Sequence, residues 1–215
     1  MIAELFHSLF TTWFRWVESG GYTAVFFLMA MESSIFPVPS EVVIPPAAYL
    51  ASQGKLDFWL VVVAGTLGSY AGSIATYYVS KALGIPFLKR YGKYVFLHWD
   101  KIEKLIPQTK KHGNWLIFGC RFLPVVRHFI SIPAGVLGQP VLGFSVATTL
   151  GAFGWCTILA LLGEKILGAH PELLASPVAM ISAIKHTLPA VTIATLVLFA
   201  LYFGVQKILL KKTRA

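Results

Sequence analysis

Acidic residues are scarce in this chain. Nine Asp and Glu stand against 18 Lys and Arg among 215 residues, for a formal net charge of +9, and charged residues of all kinds make up only 13%. Typical soluble domains carry about 25%. With 56% hydrophobic residues and a mean hydropathy of +0.71, the composition excludes an ordinary soluble domain. It reads as an all-α integral membrane protein of single-domain size. Cysteine is nearly absent: Cys120 and Cys156 both lie in apolar segments and offer no disulfide framework. The histidines show no metal-ligand spacing, so neither a metal nor a cofactor is expected. Also missing are a phosphate-cradling glycine loop and a nucleophile–base pair. Ser131 stands near His128, but without a glycine elbow or an acid at informative spacing, and an enzyme is not expected. The first residues lack the basic cap and small-residue cleavage site of a cleaved signal peptide.

The positive charge is placed by topology. Lys81, Lys89, Arg90, Lys93, Lys101, Lys104, Lys110 and Lys111 lie between apolar segments, and Lys207, Lys211, Lys212 and Arg214 close the chain. Both clusters read as cytoplasmic under the positive-inside rule. This arrangement accounts for the basic balance without nucleic acid as a partner.

In chain order, residues 4–18 form an aromatic, mildly amphipathic helix, interfacial or spanning. Gly20-Gly21 ends it. Residues 22–53 hold two apolar arms, each shorter than the roughly 20 residues a spanning helix needs, around a break at Pro37-Val38-Pro39-Ser40-Glu41. A first re-entrant hairpin is expected there, with Ser40 as N-cap of its second arm. Residues 58–80 are long enough to span and carry Gly68-x-x-x-Gly72, a helix-packing face. Residues 82–113 are a basic, amphipathic cytoplasmic section. Residues 115–139 repeat the short-armed pattern around Pro124 and Pro133, a second hairpin. Residues 142–162 and 188–210 span, and the tail after them is cytoplasmic. Three to four transmembrane helices result, and the side of the N-terminus stays open, as does the oligomeric state.

The segment Thr66-Leu67-Gly68-Ser69-Tyr70 resembles Thr149-Leu150-Gly151-Ala152-Phe153, and Ser80-Lys81-Ala82-Leu83-Gly84 resembles Glu164-Lys165-Ile166-Leu167-Gly168. In both halves a proline-broken hairpin precedes a glycine-bearing span, and the charge topology runs the two spans in opposite directions. That is the pattern of an inverted repeat whose broken helices face each other near the midplane. Broken half-helices aim free N–H groups and positive dipole ends at a cavity. Arg121 and Arg127 flank Pro124 and add planar donors suited to phosphate oxygens. Glu32 and Glu41 are acids in apolar surroundings, where burial and nearby arginine act on a carboxyl in opposite senses; they are expected to carry protons. If the hairpins meet, both acids lie within reach of both arginines, and an arriving phosphate competes with a carboxylate that then takes up a proton.

These motifs resemble the DedA (VTT-domain) family of bacterial inner-membrane proteins. The resemblance rests on Glu32 followed by Pro37-Val38-Pro39-Ser40-Glu41, on Gly68 and Gly72, on Phe118-Gly119-Cys120-Arg121-Phe122-Leu123-Pro124-Val125-Val126-Arg127, and on Pro133-Ala134-Gly135. It covers about residues 20–165. Cys120 departs from it, standing where glycine is usual. The resemblance implies lipid transport across the cytoplasmic membrane linked to the proton-motive force. Undecaprenyl phosphate is then the leading substrate, membrane lipids and protons are the partners, and Glu32, Glu41, Arg121 and Arg127 are the essential residues. Two other readings stand beside it: a non-selective phospholipid scramblase, and a proton-coupled antiporter of small cations or drugs.

Overall fold

The computed structural model describes residues 2–34, 39–91, 99–123 and 126–175, together with 179, 182 and 183. The expected breaks at Pro37 and Pro124 and the expected span 188–210 lie outside the described residues. Every regular element among the described residues is helical. The order is α1 (Ile2–Glu32), a 3-10 turn (Ser40–Val42), α2 (Ile44–Ser52), α3 (Phe58–Tyr91), α4 (Trp99–Cys120), α5 (Val126–Phe129), α6 (Ser131–Val136), α7 (Val141–Ala169) and a 3-10 turn (Pro171–Ala175). Phe58–Ile85 and Val141–Ala169 are long and apolar enough to cross a bilayer. Their outer faces expose Trp59, Leu60, Val63, Leu67, Leu142, Val146 and Leu150, an apolar surface of the kind that soluble proteins avoid.

The backbone repeats itself. Gly21 kinks α1 at φ 53°, ψ −132°, and Gly113 kinks α4 at φ 56°, ψ −133°. Only glycine adopts this region without strain. Each kink opens a short helical leg, to Glu32 and to Cys120. After the break each half has a short helix, α2 or α6. Both short helices end the same way, with N–H groups of Gln53, Gly54 and Lys55 bonded to carbonyls of Tyr49, Ala51 and Leu50, and those of Leu137, Gly138 and Gln139 to Pro133, Gly135 and Ala134. The glycine that follows is left-handed in both, Gly54 at φ 74° and Gly138 at φ 61°. A long helix comes next, α3 or α7.

The two halves exchange partners. α2 packs on α7, the long helix of the other half, and α6 packs on α3. Glycines allow both approaches. A Cβ on Gly163 would stand 2.4 Å from Pro45 Cα, and one on Gly135 would stand 2.2 Å from the Tyr77 carbonyl oxygen. Two apolar clusters result. The larger joins Val25, Leu28, Ile44, Ala47, Val62 and Leu159 from α1, α2, α3 and α7. The smaller joins Tyr77, Ile117, Ile130 and Phe144 from α3, α4, α7 and the α5–α6 turn. The arginine stretch lies where the halves meet.

Within the first half, α1 and α3 touch backbone to backbone. A Cβ on Gly68 would lie 2.2 Å from the Phe26 carbonyl oxygen, and one on Gly72 would lie 2.1 Å from that of Ala30. Gly72→Val therefore forces the helices apart and should cost about 1–3 kcal/mol as overpacking, read as a fall in Tm of the detergent-solubilised protein. Gly168→Ala, where a Cβ meets nothing within 4 Å, should leave the Tm unchanged.

Candidate functional site

Where the halves meet, each supplies charged and hydroxyl side chains to one narrow, buried cleft. Glu32 ends α1 and is 2% exposed, while Arg127 lies on the four-residue α5 and is 6% exposed. An Arg127 Nη2 hydrogen bonds and ion-pairs with Glu32 Oε1, joining residues 95 positions apart. The same nitrogen donates to Ser40 Oγ at 2.5 Å. Ser40 Oγ also accepts from Trp155 Nε1 at 3.2 Å. The guanidinium carbon of Arg127 stands 4.9 Å from the Trp155 ring centroid, a cation–π contact that is strongest when desolvated. The other carboxylate oxygen of Glu32 accepts from Ser33 Oγ at 3.2 Å, and Ser33 shares a 2.7 Å hydrogen bond with Ser69 of α3. His128 Nδ1 lies 3.2 Å from the Glu32 carbonyl oxygen. A carbonyl only accepts, so Nδ1 carries the proton in this contact.

Arg121 is placed differently. It is 3% exposed, and its Nη2 donates to the hydroxyls of Ser131 at 3.1 Å and Thr148 at 3.3 Å. Nη1 reaches the Arg127 carbonyl oxygen at 3.5 Å. Among the described residues it has no carboxylate partner. The Nε donors of both arginines are buried without a hydrogen bond. The cleft around these groups is lined also by Met29, Ala152 and Cys156. It is a site with donors in surplus, in which a guanidinium is held by neutral oxygens alone. Such a charge is costly to bury, and an oxyanion is what satisfies it.

The expected meeting of both acids with both arginines is found for one pair only. Glu32 pairs with Arg127. Glu41 is buried at 8% exposed but forms no ion pair among the described residues. The reason is local. The 3-10 turn Ser40–Val42 presents Ser40, not its neighbour, to Arg127. Ser40 was expected as N-cap of the second arm; instead it opens the 3-10 turn, Val43 occupies the cap position of α2 with no side-chain hydrogen bond, and the Ser40 hydroxyl serves Arg127 and Trp155. The hint of a Ser131–His128 pair dissolves likewise, since Ser131 Oγ faces Arg121 and His128 Nδ1 faces a carbonyl. Of the remaining expected residues, Pro39 borders the 3-10 turn and Pro133 lies inside α6.

Sequence reasoning missed Trp155, Thr148, Ser33 and Ser69. A signal for the α7 pair was there. Thr148, Gly151, Ala152 and Trp155 follow the i, i+3, i+4, i+7 spacing of one helix face, a small and polar stripe in an otherwise apolar span.

Fold and site together define a helical membrane protein with a buried arginine–hydroxyl cleft between two matching halves. The chain belongs to the VTT-domain (DedA) family: the VTT domain matches residues 38–165. It is 34% identical over 200 residues to a Bacillus subtilis (strain 168) protein named undecaprenyl phosphate transporter A, covering 93% of this chain and 96% of that one. A Staphylococcus aureus (strain NCTC 8325 / PS 47) protein of the same name is 29% identical over 198 residues, covering 90% and 94%. A Lactococcus lactis subsp. lactis (strain IL1403) protein named alkaline phosphatase-like protein is 34% identical over 160 residues, covering 72% and 74%. No solved structure matches. The apolar helices and the relatives place this chain in a membrane.

Because Arg127 and Glu32 neutralise each other in a buried setting, removing one strands the other. Arg127→Met should destabilise the protein by about 3–5 kcal/mol. The double variant Glu32→Gln, Arg127→Met should recover most of that loss. Thermal unfolding of the wild type, both single variants and the double variant reads the cycle, and additive losses would contradict the pairing.

Proposed function

We propose that this protein moves a lipid phosphate, with undecaprenyl phosphate the leading candidate, across the bacterial cytoplasmic membrane, in a step linked to the proton-motive force. The observation that carries the proposal is Arg121, a buried guanidinium with neutral oxygen partners only, beside two arginine Nε donors that have no partner. The names of the full-length relatives in Bacillus subtilis and Staphylococcus aureus support the same substrate. In this reading residues 22–53 and 115–139 are re-entrant hairpins entering from opposite faces, and the matching glycine kinks and exchanged packing of the halves support an inverted repeat. The protein is then multi-pass, with its basic tail cytoplasmic, and does no covalent chemistry.

The phosphate docks on Arg121 and the free Nε donors and competes with Glu32 for Arg127. Glu32, released into apolar surroundings, takes up a proton, because an uncompensated carboxylate is costly there. Binding and protonation then favour each other by the same free energy. Glu32 is the acid the ion pair selects; Glu41, buried one residue from the Arg127 ligand Ser40, is proposed as the second proton carrier. A site that leaves a guanidinium without a carboxylate counts against the cation-antiporter reading.

In liposomes the wild-type protein should carry a polyprenyl phosphate between leaflets, and Arg121→Met should abolish that flux while the protein stays folded. Normal flux in Arg121→Met would contradict the proposal. The linkage has a definite sign. Proton uptake on binding makes wild-type affinity fall with pH relative to that of Glu32→Gln, which lacks the proton acceptor. Ionisation of the phosphate itself (second pKa about 6) acts in the opposite sense in both proteins, so Glu32→Gln affinity should rise more with pH than wild-type affinity, and parallel pH profiles would contradict the linkage.

A further inference from the structure

The arginine cleft is narrow, with room for a headgroup at most, and a second cavity lies near it on α4 and α7. An open groove of about 890 Å³ runs between the last turns of α4 and the first half of α7. Trp115, Phe118, Leu142, Val146, Ala147 and Leu150 form its walls, and Asn114 stands at the end beside the Gly113 kink. Leu142 is 79% exposed, Val146 51% and Leu150 57%.

The groove has no counterpart in how α1 meets α3. There, Gly68 and Gly72 bring the helices onto each other's backbone at two successive turns. In the second half only the inner end of the seam is closed this way. A Cβ on Gly151 would stand 2.6 Å from Arg121 Cβ and 3.2 Å from the Phe118 carbonyl oxygen. Two turns earlier, Gly143 faces only the Asn114 side chain. The seam is therefore closed by the Phe118 carbonyl and the Arg121 stem at one end and by the Asn114 side chain alone at the other, with the groove between them. Two wall residues, Ala147 and Leu150, adjoin in sequence Thr148, which accepts from Arg121, and Gly151, which touches it. The apolar groove thus ends about one helical turn from Arg121, whose stem closes the seam there.

We propose that this groove seats the hydrocarbon chain of the lipid whose phosphate Arg121 holds. The inference rests on the lipid-phosphate reading of the site and adds where the tail lies. The occupant follows from proximity: an apolar groove about one helical turn from a buried cation matches a molecule with an anionic head and a long apolar tail. A protein segment or a neutral lipid would leave the Arg121 end unused. Chain length then becomes a determinant of affinity through α7 residues that never touch the phosphate.

The test compares two probes on the detergent-solubilised full chain: a long polyprenyl phosphate and dimethylallyl phosphate, which keeps the headgroup and one isoprene unit. Wild-type protein should bind the long probe at least tenfold more tightly. Val146→Trp, which fills the groove, should lower long-probe affinity to that of the short probe and leave the short probe unchanged. Should that variant not fold, Leu142→Trp fills the same groove from a more exposed position. Val63→Trp, on the exposed apolar face of α3, should leave the preference intact. The proposal is overturned if the groove-filling variant keeps wild-type preference, if it loses both probes equally, or if Val63→Trp has the same effect, which would mark general lipid contact. Wild-type protein that binds neither probe would instead overturn the headgroup reading, and this inference with it.

Discussion

The ion pair between Glu32 and Arg127 is the contact on which the arrangement depends. It spans the two halves of the chain at a depth where neither charge reaches water, and each of its members holds further groups in place. Arg127 orients the Ser40 hydroxyl and lies against the Trp155 ring. Glu32 engages Ser33, and through it Ser69 of α3. A 3-10 turn, the short leg of α1, α5 and both long helices are therefore tied to one pair of charges. Apolar packing alone would specify the interface loosely, because the hydrocarbon around a membrane protein is as apolar as its core. A buried pair that must be matched sets which residues of the two halves meet, a registry role.

The second arginine breaks the balance. With Glu32 committed to Arg127, Arg121 rests on Ser131, Thr148 and a backbone carbonyl. Neutral oxygens stabilise a guanidinium only partly. In the proposed function this leaves the site preorganised for one more negative group, and the small residues of α7, Gly151 and Ala152, make room for the arginine stem and the cleft beside it. In the proposed mechanism an arriving anion changes the partner of Arg127 as well, and so couples a binding event in the cleft to the interface between the halves.

Much of this was legible in the sequence, for identifiable reasons. Apolar arms too short to span, broken by proline and carrying arginine, violate two membrane rules at once, and such violations mark sites. Glu32 stood out because an acid in an apolar run is expensive. The similarity of residues 66–70 to 149–153 reflects a backbone requirement that glycine meets in both halves. What stayed hidden depended on tertiary contact. Ser40 precedes an apolar arm and looks like a cap; only the approach of Arg127 from residues 87 positions away reassigns its hydroxyl. Trp155 reads as one more apolar residue of α7 until Arg127 lies over it. The split between Glu32 and Glu41 was equally invisible, because one residue of register in a 3-10 turn decides which side chain faces the arginine.

The central claim is that Arg121 is held without a carboxylate so that it can take a phosphate. Equilibrium binding of a polyprenyl phosphate and of the alcohol with the same chain, to wild-type and Arg121→Met proteins, tests this most directly. The tails are identical, so the ratio of affinities isolates the headgroup. The account predicts that wild-type protein prefers the phosphate by at least a factor of about 10, as charge-assisted hydrogen bonds worth about 1.5–3 kcal/mol require, and that Arg121→Met loses the preference. Equal affinity of wild-type protein for phosphate and alcohol would contradict it.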